Sequence, residues 1–358
     1  MTTSRLGLVA VLGSLLLSGA TCSARPDAGS ATAVDASAGD ARAGRVTQVI
    51  AISVDGLHPR ALGVLRPAQL PAFSRLTRQG ASTHNARTVV EETLTLPNHT
   101  SMVTGRRVAQ PGGTGVDFNE DPGTTVHDSA GEYVPSVFDV VHDTGRRTGL
   151  FATKTKFAFL DRSWNGVNGA PDLTGPADGR DKIDVCRLGT SRQATGRLLS
   201  HLRGDHPPAF ALLHLASPDA AGHAEGWLSA AYLRAVQDAD AQVGRVLRAV
   251  AHSSALRSST AVILTSDHGG RGTDHGDTTL RSSYRVPFFV WGTGVRADAD
   301  LYRLNRDDRR DPGRTQPAYT AVVPPVRNAE LGNLALDLLG LPAIPTSRIG
   351  VDQDLDVD

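Results

Sequence analysis

Apolar positions along the chain fall into short, nearly continuous runs, separated by stretches in which they recur at helical spacing. Residues 49–54, 148–153, 210–215, 261–264 and 286–291 are runs of four to six mostly apolar residues. Runs of that length, bounded by turn residues, suit strands buried on both faces. Between them, Leu233, Val236, Val243, Val246, Leu247 and Val250 return every three to four residues across 228–250, predicting a long amphipathic helix. Residues 134–142 predict a helix stopped by Gly145, another helix ends at 198–202, and 331–339 predict a closing helix ended by Gly340. The repeated strand-then-helix order predicts an α/β fold, with a mostly parallel central sheet sandwiched between helices. The sequence contains no internal repeat.

The N-terminal part departs from this pattern. Arg5 precedes an apolar core over 6–17, and Ser18-Gly19-Ala20 follows. This is the layout of a signal peptide, here 1–22, and it is too short and wrongly flanked for a stable membrane span. Cys22 is a candidate lipid-attachment site, although Gly19-Ala20-Thr21 fits a lipobox poorly. Residues 23–46 are rich in Ala, Gly, Asp and Ser and lack aromatic residues, which predicts a disordered linker. The expected organisation is signal peptide 1–22, linker 23–46, catalytic domain 47–342 and tail 343–358, whose acidic end is expected to fray. The protein is thus expected to be exported, either secreted or held at the cell envelope. Residues 298–318, charged and Pro/Gly-containing, predict an exposed loop over the site mouth.

Charge changes the picture by exclusion. The 37 basic and 37 acidic residues balance, which argues against nucleic-acid binding through a basic face. Lysines are confined to Lys154, Lys156 and Lys182. The cysteines are Cys22 and Cys186, so the fold is expected to need no disulfide, with Cys186 a small packed residue.

Candidate chemistry gathers where the strands end. Asp55-Gly56 follows the first run, and Thr265-Ser266-Asp267-His268-Gly269-Gly270 follows the fourth. Asp219 and His223 stand four apart just beyond the third, and His275 lies in a glycine-flanked loop with Asp274 and Asp277 as rivals. The C-terminal edge of a parallel sheet is where α/β proteins bind ligands. Carboxylates and imidazoles without thiolate suit zinc and tolerate manganese or iron. Each residue taken alone has a plainer reading, Asp55-Gly56 as a turn and His214 as a core or supporting residue inside its strand. Thr95 precedes Pro97, which suits a first helical turn, and Gly105 suits the end of that helix. Backbone N–H groups at such a start favour an anion beside the Thr hydroxyl, whereas the commoner role for a lone Thr there is an N-cap. Lys154-Thr155-Lys156 directly follows the 148–153 run and reads either as a solvated loop or as a clamp for a substrate anion.

Asp55-Gly56 after a strand, Thr95-Leu96-Pro97-Asn98-His99, Pro218-Asp219-x-x-Gly222-His223 and Ser266-Asp267-His268-Gly269 together resemble the alkaline phosphatase superfamily. The branch they resemble is the type I phosphodiesterase/nucleotide pyrophosphatase family, whose nucleophile motif reads Thr-Phe-Pro-Asn-His. The resemblance covers about 46–342. It implies two zinc ions about 4 Å apart. One would be held by Asp55, Thr95, Asp267 and His268, the other by Asp219, His223 and His275. It implies Thr95 as nucleophile, through a phospho-threonine intermediate. Gly115-Val116-Asp117-Phe118-Asn119 matches the family's Gly-Ile-x-x-Asn element and implies that Asn119 binds a phosphoryl oxygen, although Thr114 replaces the usual His before Gly115. Lys154 and Lys156 resemble the paired lysines of phosphonoacetate hydrolase. The expected function is that of an exported two-metal hydrolase of small-molecule phosphodiesters. The alternatives are a phosphomonoesterase, a C–P hydrolase, or a metal-binding surface protein with an inactive site. A sulfatase is disfavoured, since that chemistry needs Cys or Ser where Thr95 stands.

Overall fold

The computed structural model describes residues 45–175 and 179–358. The expected signal peptide, the candidate lipid-attachment residue Cys22 and nearly all of the expected linker lie outside the described residues. Eight strands form one sheet: β1 (Gln48–Val54), β2 (Gly80–Arg87), β3 (Thr148–Ala152), β4 (Val185–Leu188), β5 (Phe210–Leu215), β6 (Thr260–Thr265), β7 (Arg285–Gly292) and β8 (Ala299–Asp300). Their order is β4-β3-β5-β1-β6-β7-β2-β8. The five strands from β4 to β6 are parallel, and β7 is antiparallel to both neighbours.

Helices cover both faces. In chain order they include α1 (Pro71–Gln79), α2 (Thr95–Thr104), α3 (Val137–His142), α4 (Ser191–His201), α5 (Ser217–Glu225), α6 (Ala230–His252) and α7 (Leu331–Leu338). Strand β1 shows why its run is uninterrupted. Val49 and Ala51 pack on one face with Met102, Phe138 and Leu334, while Ile50, Ile52 and Val54 pack on the other with Phe73, Leu198 and Val243. A strand covered on both sides has no face to leave polar.

The structure differs from the sequence expectations in several places. The run at 286–291 is a strand, but it runs antiparallel. Only a loop and a short turn separate it from β6, and without a crossover element the chain cannot return to start a parallel strand. Strand β2, Gly-Ala-Ser-Thr-His-Asn-Ala-Arg, carries no apolar run and was not expected. Helix α3 starts at 137 because Ser136 caps it, in a box closed by Asp139. Residues 298–318 pack against β2 instead of standing free: Leu301 is buried, Tyr302 donates to the Asn85 carbonyl at 3.0 Å, and Asn85 reaches Asp311.

The C-terminal tail does not fray. Leu355 and Val357 are buried, Arg309 bridges Glu330 and Asp354, and Arg296 N–H donates to the Val357 carbonyl. The alternation Asp354-Leu355-Asp356-Val357-Asp358 is the mark of a half-buried extended segment. Cys186 is buried, as expected. Among the described residues no helix is long and apolar enough to cross a membrane.

Candidate active site

Strands β5, β1 and β6 are neighbours, so the residues that follow them meet at one sheet edge. Asp219 N–H donates to the Asp55 carbonyl at 3.1 Å, and Gly56 N–H donates to Asp267 Oδ1 at 3.0 Å. Gly56 has φ +68°, and a Cβ there would stand 2.9 Å from Asp219 Cα. Only glycine lets the Asp55 and Asp219 segments close to this distance. Asp219 and His223 lie one turn apart on α5, so that Asp219 Oδ1 and His223 Nε2 are 3.4 Å apart. His275 comes from the loop after β6, which is pinned by Thr93: the Thr93 hydroxyl donates to the His275 carbonyl, and His275 Nδ1 lies 2.6 Å from the Thr93 carbonyl.

The imidazoles share one arrangement. His223 Nδ1 lies 2.9 Å from the Thr273 carbonyl, His268 Nδ1 lies 2.8 Å from the Gly269 carbonyl, and His275 is held likewise by Thr93. A carbonyl only accepts, so each Nδ1 carries the hydrogen and each Nε2 turns a lone pair inward. The Nε2 atoms of His223 and His275 are 3.1 Å apart. His268 Nε2 lies 3.2 Å from Asp267 Oδ2, 3.5 Å from Asp55 Oδ1 and 3.9 Å from Asp219 Oδ1.

Three buried carboxylate oxygens, Asp55 Oδ1, Asp219 Oδ1 and Asp267 Oδ2, have no hydrogen-bond partner. Unpaired buried charge of this kind is costly unless a cation meets it. Two donor groups follow: Asp219, His223 and His275, and Asp55, Asp219 and His268. Donor atoms about 2.0–2.2 Å from one tetrahedral ion lie about 3.3 Å from each other, close to the separations found. The residues therefore fit divalent cations. Asp219 belongs to both groups, whereas the family pattern placed it in one.

Burial shapes the electrostatics. It pushes Asp267 well above the usual carboxylate range, with Asp55 adding to the rise. It acts on Asp55 in the same sense, but Lys154 and His214 together outweigh it and hold that carboxyl low. Burial, then the neighbouring His268, brings His275 down to about 3; the two rings stack 3.6 Å apart. Burial lowers His268 as well. Both imidazoles are thereby kept neutral, the form that binds metal.

Thr95 opens α2 and does not act as its N-cap; Leu94 holds that position without a side-chain bond. The Thr95 hydroxyl lies 3.5 Å from His268 Nε2 and accepts from Lys154 Nζ at 3.2 Å. Asn119 reaches the same helix start, its Oδ1 accepting from Leu96 N–H at 3.0 Å. The two candidate lysines part company. Lys154 enters the site, whereas Lys156 pairs with Glu120 and donates to the Asn119 carbonyl, so it anchors the Asn119 loop.

Several residues support the site, and of these the sequence reading places His214 alone in such a role. His99 Nδ1 is 2.7 Å from the Thr95 carbonyl and its Nε2 is 2.8 Å from Ser53 Oγ. His214 accepts from Thr153 N–H on Nδ1, so its Nε2–H donates to Asp55 Oδ2 at 2.8 Å. Asn328 donates to Asn98 Oδ1 and to the Ser266 carbonyl, joining the loops that carry Thr95 and Asp267. Trp227 Nε1–H donates to the Gly56 carbonyl. For His99 and Asn98 the signal was present in Thr95-Leu96-Pro97-Asn98-His99, where both lie one turn from Thr95; for Asn328 and Trp227 nothing in the sequence pointed to the site.

Comparison with known proteins agrees with this geometry. The sequence model for type I phosphodiesterase/nucleotide pyrophosphatase matches residues 49–329. Human ectonucleotide pyrophosphatase/phosphodiesterase family member 1 is 28% identical over 207 residues, a match covering 56% of this chain and 21% of that protein. The chain thus covers about a fifth of the length of that curated relative. Murine ectonucleotide pyrophosphatase/phosphodiesterase 5, solved in complex with AMP, superposes with a TM-score of 0.59 at 14% identity, covering 84% of this chain and 96% of that one. A 2-O GAG sulfatase superposes with a TM-score of 0.58 at 14% identity, over 84% of this chain and 72% of that one. At such identities the structures speak for the fold alone. The sequence match, which spans every residue of the two donor groups and Thr95, is decisive: the chain belongs to the type I phosphodiesterase/nucleotide pyrophosphatase family.

Proposed function

We propose that the protein is an exported, two-metal hydrolase of phosphoric diesters or pyrophosphates, with Thr95 as its nucleophile. The observation that carries this reading is the Thr95 hydroxyl at the start of α2, beside three buried carboxylate oxygens that lack partners. Asp55, Asp267 and His268, with Thr95, would hold one zinc; Asp219, His223 and His275 would hold the other, and manganese or iron suits the same donors. Bound there, the ions supply Lewis acidity and positive charge toward phosphoryl oxygens.

The chain's own residues do the rest. His99 fixes the Thr95 carbonyl, and with it the first turn of α2. Thr95 Oγ1 attacks phosphorus in line, forming a P–O bond as the leaving oxygen departs. Water then attacks the phospho-threonine, releases the phosphoryl product and restores the hydroxyl. The start of α2 favours the anion throughout, since helix N-termini present N–H groups and positive potential. Asn119 flanks that start, and its amide would donate to a non-bridging oxygen.

A second reading, hydrolysis of phosphate monoesters or of a C–P bond, is favoured by Lys154, whose charge lies 3.2 Å from Thr95 Oγ1. A monoester dianion gains more from a cation there than a diester does.

Zinc-loaded protein assayed on bis-p-nitrophenyl phosphate and on p-nitrophenyl phosphate separates the two. Faster diester turnover supports the main reading, and faster monoester turnover supports the second. Thr95→Ala should abolish turnover with metal content kept; full activity in that variant refutes the nucleophile. Metal bound without turnover of either substrate, or of a phosphonate, makes this a metal-binding protein. Export is tested by the N-terminus of the protein recovered outside the cytoplasm: cleavage after the signal should leave it close to residue 23, whereas lipidation would leave Cys22 as the first residue and add the lipid mass to its peptide.

A further inference from the structure

Lys154 follows β3 and turns its ammonium into the site. Nζ stands 2.6 Å from Asp55 Oδ2 and 2.7 Å from Asp219 Oδ2, and it donates to Thr95 Oγ1 at 3.2 Å. The choice of oxygens is informative. The other oxygens of these two carboxylates, Asp55 Oδ1 and Asp219 Oδ1, lack hydrogen-bond partners and face the Nε2 atoms of His268, His223 and His275. Each carboxylate thus gives one oxygen to the ammonium and turns the other toward the imidazoles. A lysine standing in for a missing ion would draw the oxygens that face the imidazoles; Lys154 takes the opposite ones.

We propose that Lys154 is a standing cation of this site: it ties Asp55 to Asp219 and holds the Thr95 oxygen, working beside bound metal and not in its place. The inference rests on Thr95 being the nucleophile. Asp55 belongs to one donor group and Asp219 to both, so the tie sets where the shared carboxylate stands relative to Asp55. The side chain is one-fifth exposed, so its charge acts in a largely water-excluded setting. An ammonium fixed beside an attacking oxygen stabilises the charge that develops there without reorganising at the moment of reaction. A compact point charge meets three oxygens converging on one nitrogen; a planar guanidinium does not.

The test uses the full chain loaded with zinc, in wild-type, Lys154→Met, Lys154→Ala and Thr95→Ala forms, with folding followed by circular dichroism. Elemental analysis gives zinc per chain, and steady-state kinetics give kcat and KM. The expected result is unchanged zinc content in both Lys154 variants, with kcat lowered about a hundredfold, the usual effect of removing one such donor, and KM changed far less. Ethylammonium should restore part of kcat to Lys154→Ala and none to Thr95→Ala. Lys154→Gln replaces Lys154→Met should the latter not fold.

An extra zinc in Lys154→Met would show that the ammonium fills an ion position and overturns the inference. So would wild-type kcat, or a loss of rate together with zinc that ethylammonium does not repair. Turnover kept by Thr95→Ala overturns the nucleophile reading and this inference with it; turnover lost there but kept in Lys154→Met overturns this inference alone.

Discussion

Replacing Gly56 by alanine tests whether the site depends on the close approach of two backbone segments. Two costs act at this position. The residue has φ +68°, which costs an L-residue about 1 kcal/mol. The new Cβ would also stand 2.9 Å from Asp219 Cα, 3.0 Å from Asp219 Cβ and 3.2 Å from Asp219 N, and backbone cannot step aside as a flexible side chain can. Overpacking of this kind costs about 1–3 kcal/mol. The expected loss is about 2–4 kcal/mol in unfolding free energy, read from urea midpoints at unchanged slope. Gly112 supplies the control, since it has φ +78° and nothing within 4 Å of its Cβ position. Gly112→Ala should show the backbone cost alone, about 1 kcal/mol. Because the clash falls on Asp219, which belongs to both donor groups, Gly56→Ala should also weaken zinc binding, while Gly112→Ala should not. Equal destabilisation of the two variants, or wild-type zinc affinity in Gly56→Ala, would refute the reasoning.

Two further outcomes concern pH and metal. Burial, then Arg285 and Arg60, lowers His58 from 6.5 to about 4. The unfolded chain therefore binds the extra proton between those values, and the His58 contribution, about 3 kcal/mol, is complete above pH 6.5 and lost as pH falls toward 4. Melting temperatures over that range should fall less steeply for His58→Asn than for the wild type, and parallel curves would refute the assignment. Chelation should lower the melting temperature, because partnerless oxygens on Asp55, Asp219 and Asp267 are then left without a cation. At free zinc a thousand times its Kd, loading should stabilise by about 4 kcal/mol. Identical melting of chelated and loaded protein would show that the cluster holds no ion.

The sequence by itself determined the layers and the ingredients. A strand covered on both faces must be apolar throughout, so the runs at 49–54, 210–215 and 261–264 announced the parallel centre, and Asp55, Asp219 and Asp267 marked the edge where the candidate site lies. Motif order was enough to mark Thr95 and the histidines as candidates, which the fold brings close together. What stayed hidden is what depends on partners distant in the chain. Strand β2 lacks an apolar run and is defined by pairing with β7, some 200 residues away. The tail looked like a charged end, yet Arg309 and the pocket for Leu355 exist only once the chain has folded back.

The two lysines make the same point within the site. Lys154 and Lys156 stand two apart in one short segment, and local sequence treats them alike. A turn of 3-10 helix beginning at Thr155 sends one ammonium between Asp55 and Asp219 and the other to Glu120. Which cation meets the Thr95 hydroxyl is decided by the direction of a side chain relative to residues distant in the chain, Asp55 and Asp219, and periodicity carries no information about that direction. Composition and spacing state which chemistry is available; tertiary structure states which atoms perform it.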